Sequence, residues 1–198
     1  LNFLFHLHLS GDDPDILTGN LMGDFVKGRI GNDYPPRLRS GMELHRRIDS
    51  FAQNNSLFQQ SRVRIDPRYG LWRGVLVDLF YDHFLAAEWG QWSPEPFDAY
   101  LVRARRMVEA HHHFLPEKMR EVVPVIFEEL IPSYREVEGI GKALVRMATR
   151  RVRRPNPLAG GEVELVRQYT GLRDDFERFM PEAQRFVADF LGREGERV

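Results

Sequence analysis

Apolar positions along this chain recur at intervals of three and four, and prolines cut the pattern into pieces. Pro14, Pro35-Pro36, Pro67, Pro94 and Pro96, Pro116, Pro132, Pro155 and Pro157, and Pro181 predict helix ends, since proline lacks the amide hydrogen a helix interior needs. The pieces between them predict helices over 3–10, 19–27 (Thr18 as N-cap), 36–54 (closed by Asn54-Asn55) and 71–89 (ended by Gly90). Further helices are expected over 97–114, 117–130, 133–153 with a break near Gly139 and Gly141, and 161–192 with a kink at Pro181. Alternating Val/Ile/Thr-rich runs between turn signals are lacking. The expectation is an all-α fold with a polar, frayed tail over 192–198.

The 71–89 piece is apolar on nearly every face, so it predicts a buried helix. Asp78 and Asp82 lie four apart and fall on a stripe with Leu71, Val75, Leu85 and Trp89. Two carboxylates there are costly without a cation or strong donors. A metal or catalytic site meets that need; a buried salt bridge or helix cap is the plainer alternative. His83 is next in the chain and faces a neighbouring edge.

In the 36–54 piece, Leu44, Ile48 and Phe51 form the core stripe. His45 and Asp49, four apart, run beside it on a half-buried edge that suits a ligand pair. The plainer alternative is a surface ion pair with Arg46 or Arg47, which contributes little. His6 and His8 would share a face in a strand and diverge in a helix, so at most one is expected at a site. Asn20 and Asp24 share a face, and Gly23 between them permits a close approach by a ligand or helix. The stretch is no phosphate-binding P-loop, because the Gly-Lys-Ser/Thr ending is missing. His111-His112-His113 cannot converge on one ion from consecutive helical positions. Arg146, Arg150, Arg151, Arg153 and Arg154 form a basic stretch: a solvated helix end, or a dock for an acidic partner or phosphate.

Composition narrows the chemistry. The chain has 198 residues with 42% hydrophobic and 29% charged, enough for one domain with a real core. A net charge of −1 supplies no global field for nucleic acid or an anionic membrane. With no cysteine, disulfides, thiolate metal sites and thiol catalysis are excluded. The start of the chain lacks the basic-then-apolar design of a secretory signal, and no apolar run reaches the roughly 18 residues of a membrane span, so a cytoplasmic protein is expected.

Several short motifs occur in order: Asn2-Phe3-Leu4 with His6-Leu7-His8-Leu9, Gly19-Asn20 with Asp24-Phe25-Val26 and Gly28, His45-Arg46-Arg47-Ile48-Asp49, Asp82-His83-Phe84-Leu85, and Met147-Ala148-Thr149-Arg150-Arg151. Together, from about residue 2 to 190, they resemble the acyl carrier protein phosphodiesterases, an atypical branch of the HD metal phosphohydrolases. The resemblance implies a single HD-like helical domain over 1–192 with a tail over 193–198. It implies hydrolysis of the phosphodiester between 4′-phosphopantetheine and a serine of holo-acyl carrier protein, dependent on Mn²⁺. The HD pattern itself is absent: the adjacent pair here is Asp82-His83, in reverse order.

Ligands are therefore assigned by helix face. The expected Mn²⁺ ligands are Asp24, His45, Asp78 and Asp82, with His6 or His83 completing or supporting the shell. Arg46 is expected to clamp a phosphate oxygen, Asp49 to orient His45 or act as base, and His83 to protonate the leaving serine. The arginines from Arg146 to Arg154 are expected to dock an acidic carrier protein. Two rivals are a metal phosphohydrolase of small phosphodiesters or nucleotides, and a non-catalytic helical binding module.

Overall fold

The computed structural model describes residues 2–151 and 155–195, and every regular element among them is helical. In chain order the helices are α1 (Phe3–Leu9), α2 (Pro14–Met22), α3 (Pro36–Asn54), α4 (Ser56–Arg64), α5 (Arg73–Ala87) and α6 (Trp89–Trp92). They continue as α7 (Phe97–Ala110), α8 (Glu117–Val125), α9 (Ile131–Ser133), α10 (Val137–Arg146), α11 (Glu162–Arg167) and α12 (Tyr169–Gly195). The all-α expectation is borne out.

Helix α5 is the axis of the fold. Leu76, Val77, Leu79, Phe80, Phe84 and Leu85 are all fully buried, and α1, α4, α10 and α12 pack around it. A cluster of aromatic rings welds α12 to the rest: Phe176 and Phe179 meet Phe5, Phe58 and Tyr81 at centroid distances from 5.3 to 6.4 Å. Beneath it the buried Asp175 carboxylate takes Arg64 Nε at 2.7 Å and the Ser61 hydroxyl at 3.0 Å, so its charge is paired.

Helices α2 and α3 make the closest pair. Gly19 and Gly41 face each other there, and a methyl group on either would overlap the other helix's backbone. This contact sets the position of α3, and with it His45 and Asp49, against α1 and α2.

Several boundaries differ from expectation. Helix α2 starts five residues earlier than the predicted 19, because the Asp13 side chain accepts from the amides of Asp15 and Ile16 and Pro14 occupies the first turn. Thr18 is thus a buried mid-helix residue, not a cap. The helix ends at Met22, which leaves Asp24 in the following turn. The 36–54 helix is as expected. Helix α4 was not anticipated; Asn55 both terminates α3 and caps α4 through the amides of Leu57 and Phe58. The predicted 71–89 helix is a 3₁₀ segment, then α5, then a break at Glu88 before α6. Helix α10 runs through Gly139 and Gly141 unbroken, its buried face outweighing their weak helix propensity. The chain turns before α10 instead, over 134–136. The predicted 161–192 helix divides at Gln168, and α12 passes through Pro181 and on to Gly195.

No helix among the described residues is long and apolar enough to cross a membrane.

Candidate functional site

Two imidazoles and a carboxylate converge where α1 meets α3. His6 and His45 stack with ring centroids 3.9 Å apart and planes within 15°. His6 Nε2 lies 3.3 Å from Asp49 Oδ1, and His45 Nε2 lies 3.4 Å from Asp49 Oδ2. One ligand atom from each of the three falls within 4.8 Å of the others, the one such grouping among the described residues.

Asn20 fixes which nitrogens face this point. Its side-chain NH₂ donates to the His6 carbonyl at 3.0 Å and to Ser10 Oγ at 2.8 Å. With its donors committed, Asn20 Oδ1 is left to accept from His6 Nδ1–H at 2.9 Å. The Asn20 backbone carbonyl can only accept, and it takes His45 Nδ1–H at 2.8 Å. In the neutral state both protons thus sit on Nδ1, and both Nε2 lone pairs face Asp49. His6 Nε2 is buried and makes no hydrogen bond.

The electrostatics favour a cation. Burial pushes the His45 imidazole down to about 4, helped by its neighbour His6 and opposed by Asp24 and Asp49, so it is neutral at neutral pH. Burial works to raise the Asp49 carboxyl, yet the close approach of the His6 and His45 imidazoles holds it well below the usual range. An ionised carboxylate facing two imidazole lone pairs calls for positive charge, either a proton on His6 or a metal ion. The residues fit a divalent cation: two imidazole nitrogens of set orientation, one carboxylate, and supporting bonds behind both rings.

The other expected residues divide. Asp24 sits beside the cluster: Gly23 packs so tightly on the His45 ring that an added methyl would overlap it, and Asp24 follows directly. Asp78 lies within electrostatic range of Asp49 and His6, with its carboxyl raised above the usual range by desolvation. Asp82 is not brought to the cluster. It is fully buried, and its two oxygens accept the Leu4 and Phe5 amides at 2.9 Å each. Asp82 satisfies the open N-terminus of α1, the cap role that competed with the ligand reading. Burial still pushes its carboxyl up to about 7 against those two bonds.

His83 also points elsewhere. Its Nδ1 meets the Tyr134 carbonyl at 2.8 Å and its Nε2 the Tyr169 hydroxyl at 3.2 Å. His8 turns edge-on to Trp89 at 5.2 Å, and burial lowers it to about 4. Arg46 donates to the carbonyls of Val26 and Gly28, anchoring the loop after α2. Asp49 stands in the cluster rather than behind His45, because the Nδ1 face of that ring belongs to Asn20. The sequence reading missed the Asn20 clamp; its signal was one amide inside the apolar run from Ile16 to Met22. His111 reaches away from its two neighbours to Asp15 at 2.6 Å, tying α7 to α2.

Arg146 pairs with Glu129 at 3.4 Å at the end of α10. Arg150 and Arg151 lie in a wider π-type turn over Met147–Arg151, while Arg153 and Arg154 lie outside the described residues.

Comparison with known proteins agrees with the motifs. The family model described as acyl carrier protein phosphodiesterase matches residues 1–183. A protein of Klebsiella pneumoniae subsp. pneumoniae named acyl carrier protein phosphodiesterase is 33% identical over 189 residues, covering 94% of this chain and 97% of that one. Proteins of the same name from Serratia proteamaculans and Yersinia pestis are 30% and 31% identical, covering 96% and 93% of this chain and 98% and 96% of their own. No solved structure matches the chain. By the family model and by these full-length relatives, the chain belongs to the acyl carrier protein phosphodiesterase family.

Proposed function

We propose that this protein hydrolyses the phosphodiester linking 4′-phosphopantetheine to a serine of holo-acyl carrier protein, with Mn²⁺ held by His6, His45 and Asp49. The observation that carries this reading is the convergence of those three groups in a chain of this family. A divalent cation bound there supplies Lewis acidity toward a phosphoryl oxygen and lowers the pKa of a coordinated water.

The chain's own groups do the rest. Asn20 keeps both imidazoles in the Nδ1–H tautomer, so that their Nε2 atoms stay basic and aligned. Water adds to phosphorus, the bond from phosphorus to the serine oxygen breaks, and the serine oxygen takes up a proton. Asp24 and Asp78, which interact electrostatically with the cluster, are the carboxylates assigned to accept the proton from water and return it to serine. His83, engaged with Tyr134 and Tyr169, is replaced in that role. Arg46 acts through the loop it anchors, holding the segment after Asp24 in place. Docking of an acidic carrier protein is assigned to the basic stretch that begins at Arg146.

The test is intact-mass spectrometry of holo-acyl carrier protein after incubation with the protein and Mn²⁺, with EDTA, and with Asp49→Ala. The expected outcome is loss of the phosphopantetheine mass only with metal and the intact cluster. An unchanged mass with folded, metal-loaded protein overturns the reading and leaves small phosphoesters to be screened.

A further inference from the structure

A groove of about 760 Å³ opens beside the cluster. Phe3 and Tyr134 line it, with Val122 and Val125 from α8 and Ala143 from α10, and its exposed lining is mainly apolar. Asp24 lines it as well, and Asp24 follows Gly23, which packs on the His45 ring. Phe3 precedes His6 by one turn of α1. Phe3 and Asp24 therefore connect the groove to the two segments next to the cluster, α1 with His6 and the turn that packs on His45.

We propose that this groove binds the pantetheine arm of the substrate, with the phosphate at the Asp24 end and the thiol directed toward α8 and α10. The inference rests on the proposed function and adds the place where the prosthetic group lies. A phosphodiester has two substituents, and both must leave the reacting phosphorus at the cluster. One is a folded protein, far too large for this volume. The other is a flexible chain of ordinary small-molecule size, which such a groove accommodates. The arm carries a dimethyl-substituted carbon and several methylenes between two amides, which suits an apolar wall with polar residues at the rim. Lys27, three residues after Asp24, stands among those rim residues and complements the arm's phosphate.

The partly buried wall positions Val122 and Val125 allow the groove to be narrowed without touching the cluster. Val122→Trp and Val125→Trp are tested separately, with circular dichroism to establish folding, so that one misfolded variant does not decide the matter. Calorimetry on the Mn²⁺-loaded protein compares 4′-phosphopantetheine with inorganic phosphate. The wild type is expected to bind 4′-phosphopantetheine at least about tenfold more tightly than phosphate, and the folded variants to lose that advantage while binding phosphate and Mn²⁺ as before. The KM for holo-carrier protein should rise by about tenfold in the same variants. Equal binding of the two probes by the wild type, or folded variants that keep the preference, overturns the groove assignment. If wild type cleaves holo-carrier protein and yet shows no preference, the groove alone is wrong. If it cleaves nothing, the proposed function has failed first, and the calorimetry still reports whether the groove takes the arm.

Discussion

The His45 ring gives its Nδ1 proton to the backbone carbonyl of Asn20, at 2.8 Å. The side chain of the same asparagine holds His6 at 2.9 Å. One residue on α2 therefore sets the tautomers of two imidazoles on two other helices, and the ligand side of each ring follows from that. Replacing the side chain releases only His6, since the carbonyl remains for His45. Asn20→Ala is expected to weaken Mn²⁺ binding by about 10- to 100-fold, the usual effect of losing an outer partner of a ligating histidine. It should also destabilise the fold by about 1–3 kcal/mol, because the His6 and Ser10 groups lose a buried partner. Asn20→Asp keeps an acceptor for His6 Nδ1 and should retain more of the metal affinity than Asn20→Ala. Calorimetric titration with Mn²⁺ checks this; a folded alanine variant with wild-type affinity would show the clamp to be idle.

Gly23 has a related role, by contact rather than by hydrogen bonding. Its Cα lies against the His45 ring, so any side chain there drives the imidazole off its carbonyl partner. Gly23→Ala is expected to cost about 1–3 kcal/mol through overpacking and to reduce Mn²⁺ affinity together with kcat. Paired denaturation and metal titration distinguish this from a mere folding defect. A variant that loses stability but binds Mn²⁺ normally would place the strain elsewhere.

Asp82 gives a pH-dependent prediction whose sign follows from its environment. Burial raises its carboxyl from 3.8 to about 7 in the folded protein. Between those values the folded state holds a proton that the unfolded state has released. Stability from this group is therefore complete below about pH 4 and is lost as pH rises toward 7. Asp82→Asn cannot ionise; its carbonyl oxygen accepts one of the Leu4 and Phe5 amides, and its NH₂ leaves the other without an acceptor. Near pH 4 the variant should be less stable than wild type in urea by about 1–3 kcal/mol, the cost of one unpaired buried amide. The variant should gain on wild type by a few kcal/mol, on the order of the linkage value, by pH 7. A stability difference that stays constant across that interval would mean Asp82 is ionised throughout.

The parts of the fold that were readable from sequence are those with local signals. Helix α3 announces itself through Pro35-Pro36 at its start, an amphipathic stripe, and Asn54-Asn55 at its end. His45 and Asp49 are four apart on it, so their pairing needs only helical geometry. Helix α4 was invisible because its buried apolar residues, Leu57 and Phe58, are adjacent rather than spaced along one face, and its third, Val63, is exposed. The contribution of His6 is non-local: nothing near it in sequence says that α1 lies against α3, and the Gly19–Gly41 contact that positions α3 joins it to α2, not to α1. Asp82 has the sequence pattern of a ligand, a carboxylate on an apolar stripe, but that pattern reports only a need for partners. The α1 amides meet the need, and only the packing of α1 on α5 reveals it.

Arg146 links the groove to the basic stretch and gives a kinetic prediction. It lines the groove, and its ion pair with Glu129 at 3.4 Å is at the surface, where such pairs contribute little. The arginine thus remains available to an incoming acidic surface at small cost. Charge attraction between partners acts on encounter and is screened by salt, while bond cleavage at the cluster is not. Arg146→Ala should therefore raise the KM for holo-carrier protein severalfold at low ionic strength with little change in kcat. The gap between variant and wild type should close as salt is added, because screening removes from the wild type what the substitution removed from the variant. Steady-state kinetics at low and high ionic strength make the comparison. A substitution that lowers kcat and leaves KM and its salt dependence untouched would mean that Arg146 shapes the groove and does not help to capture the carrier protein.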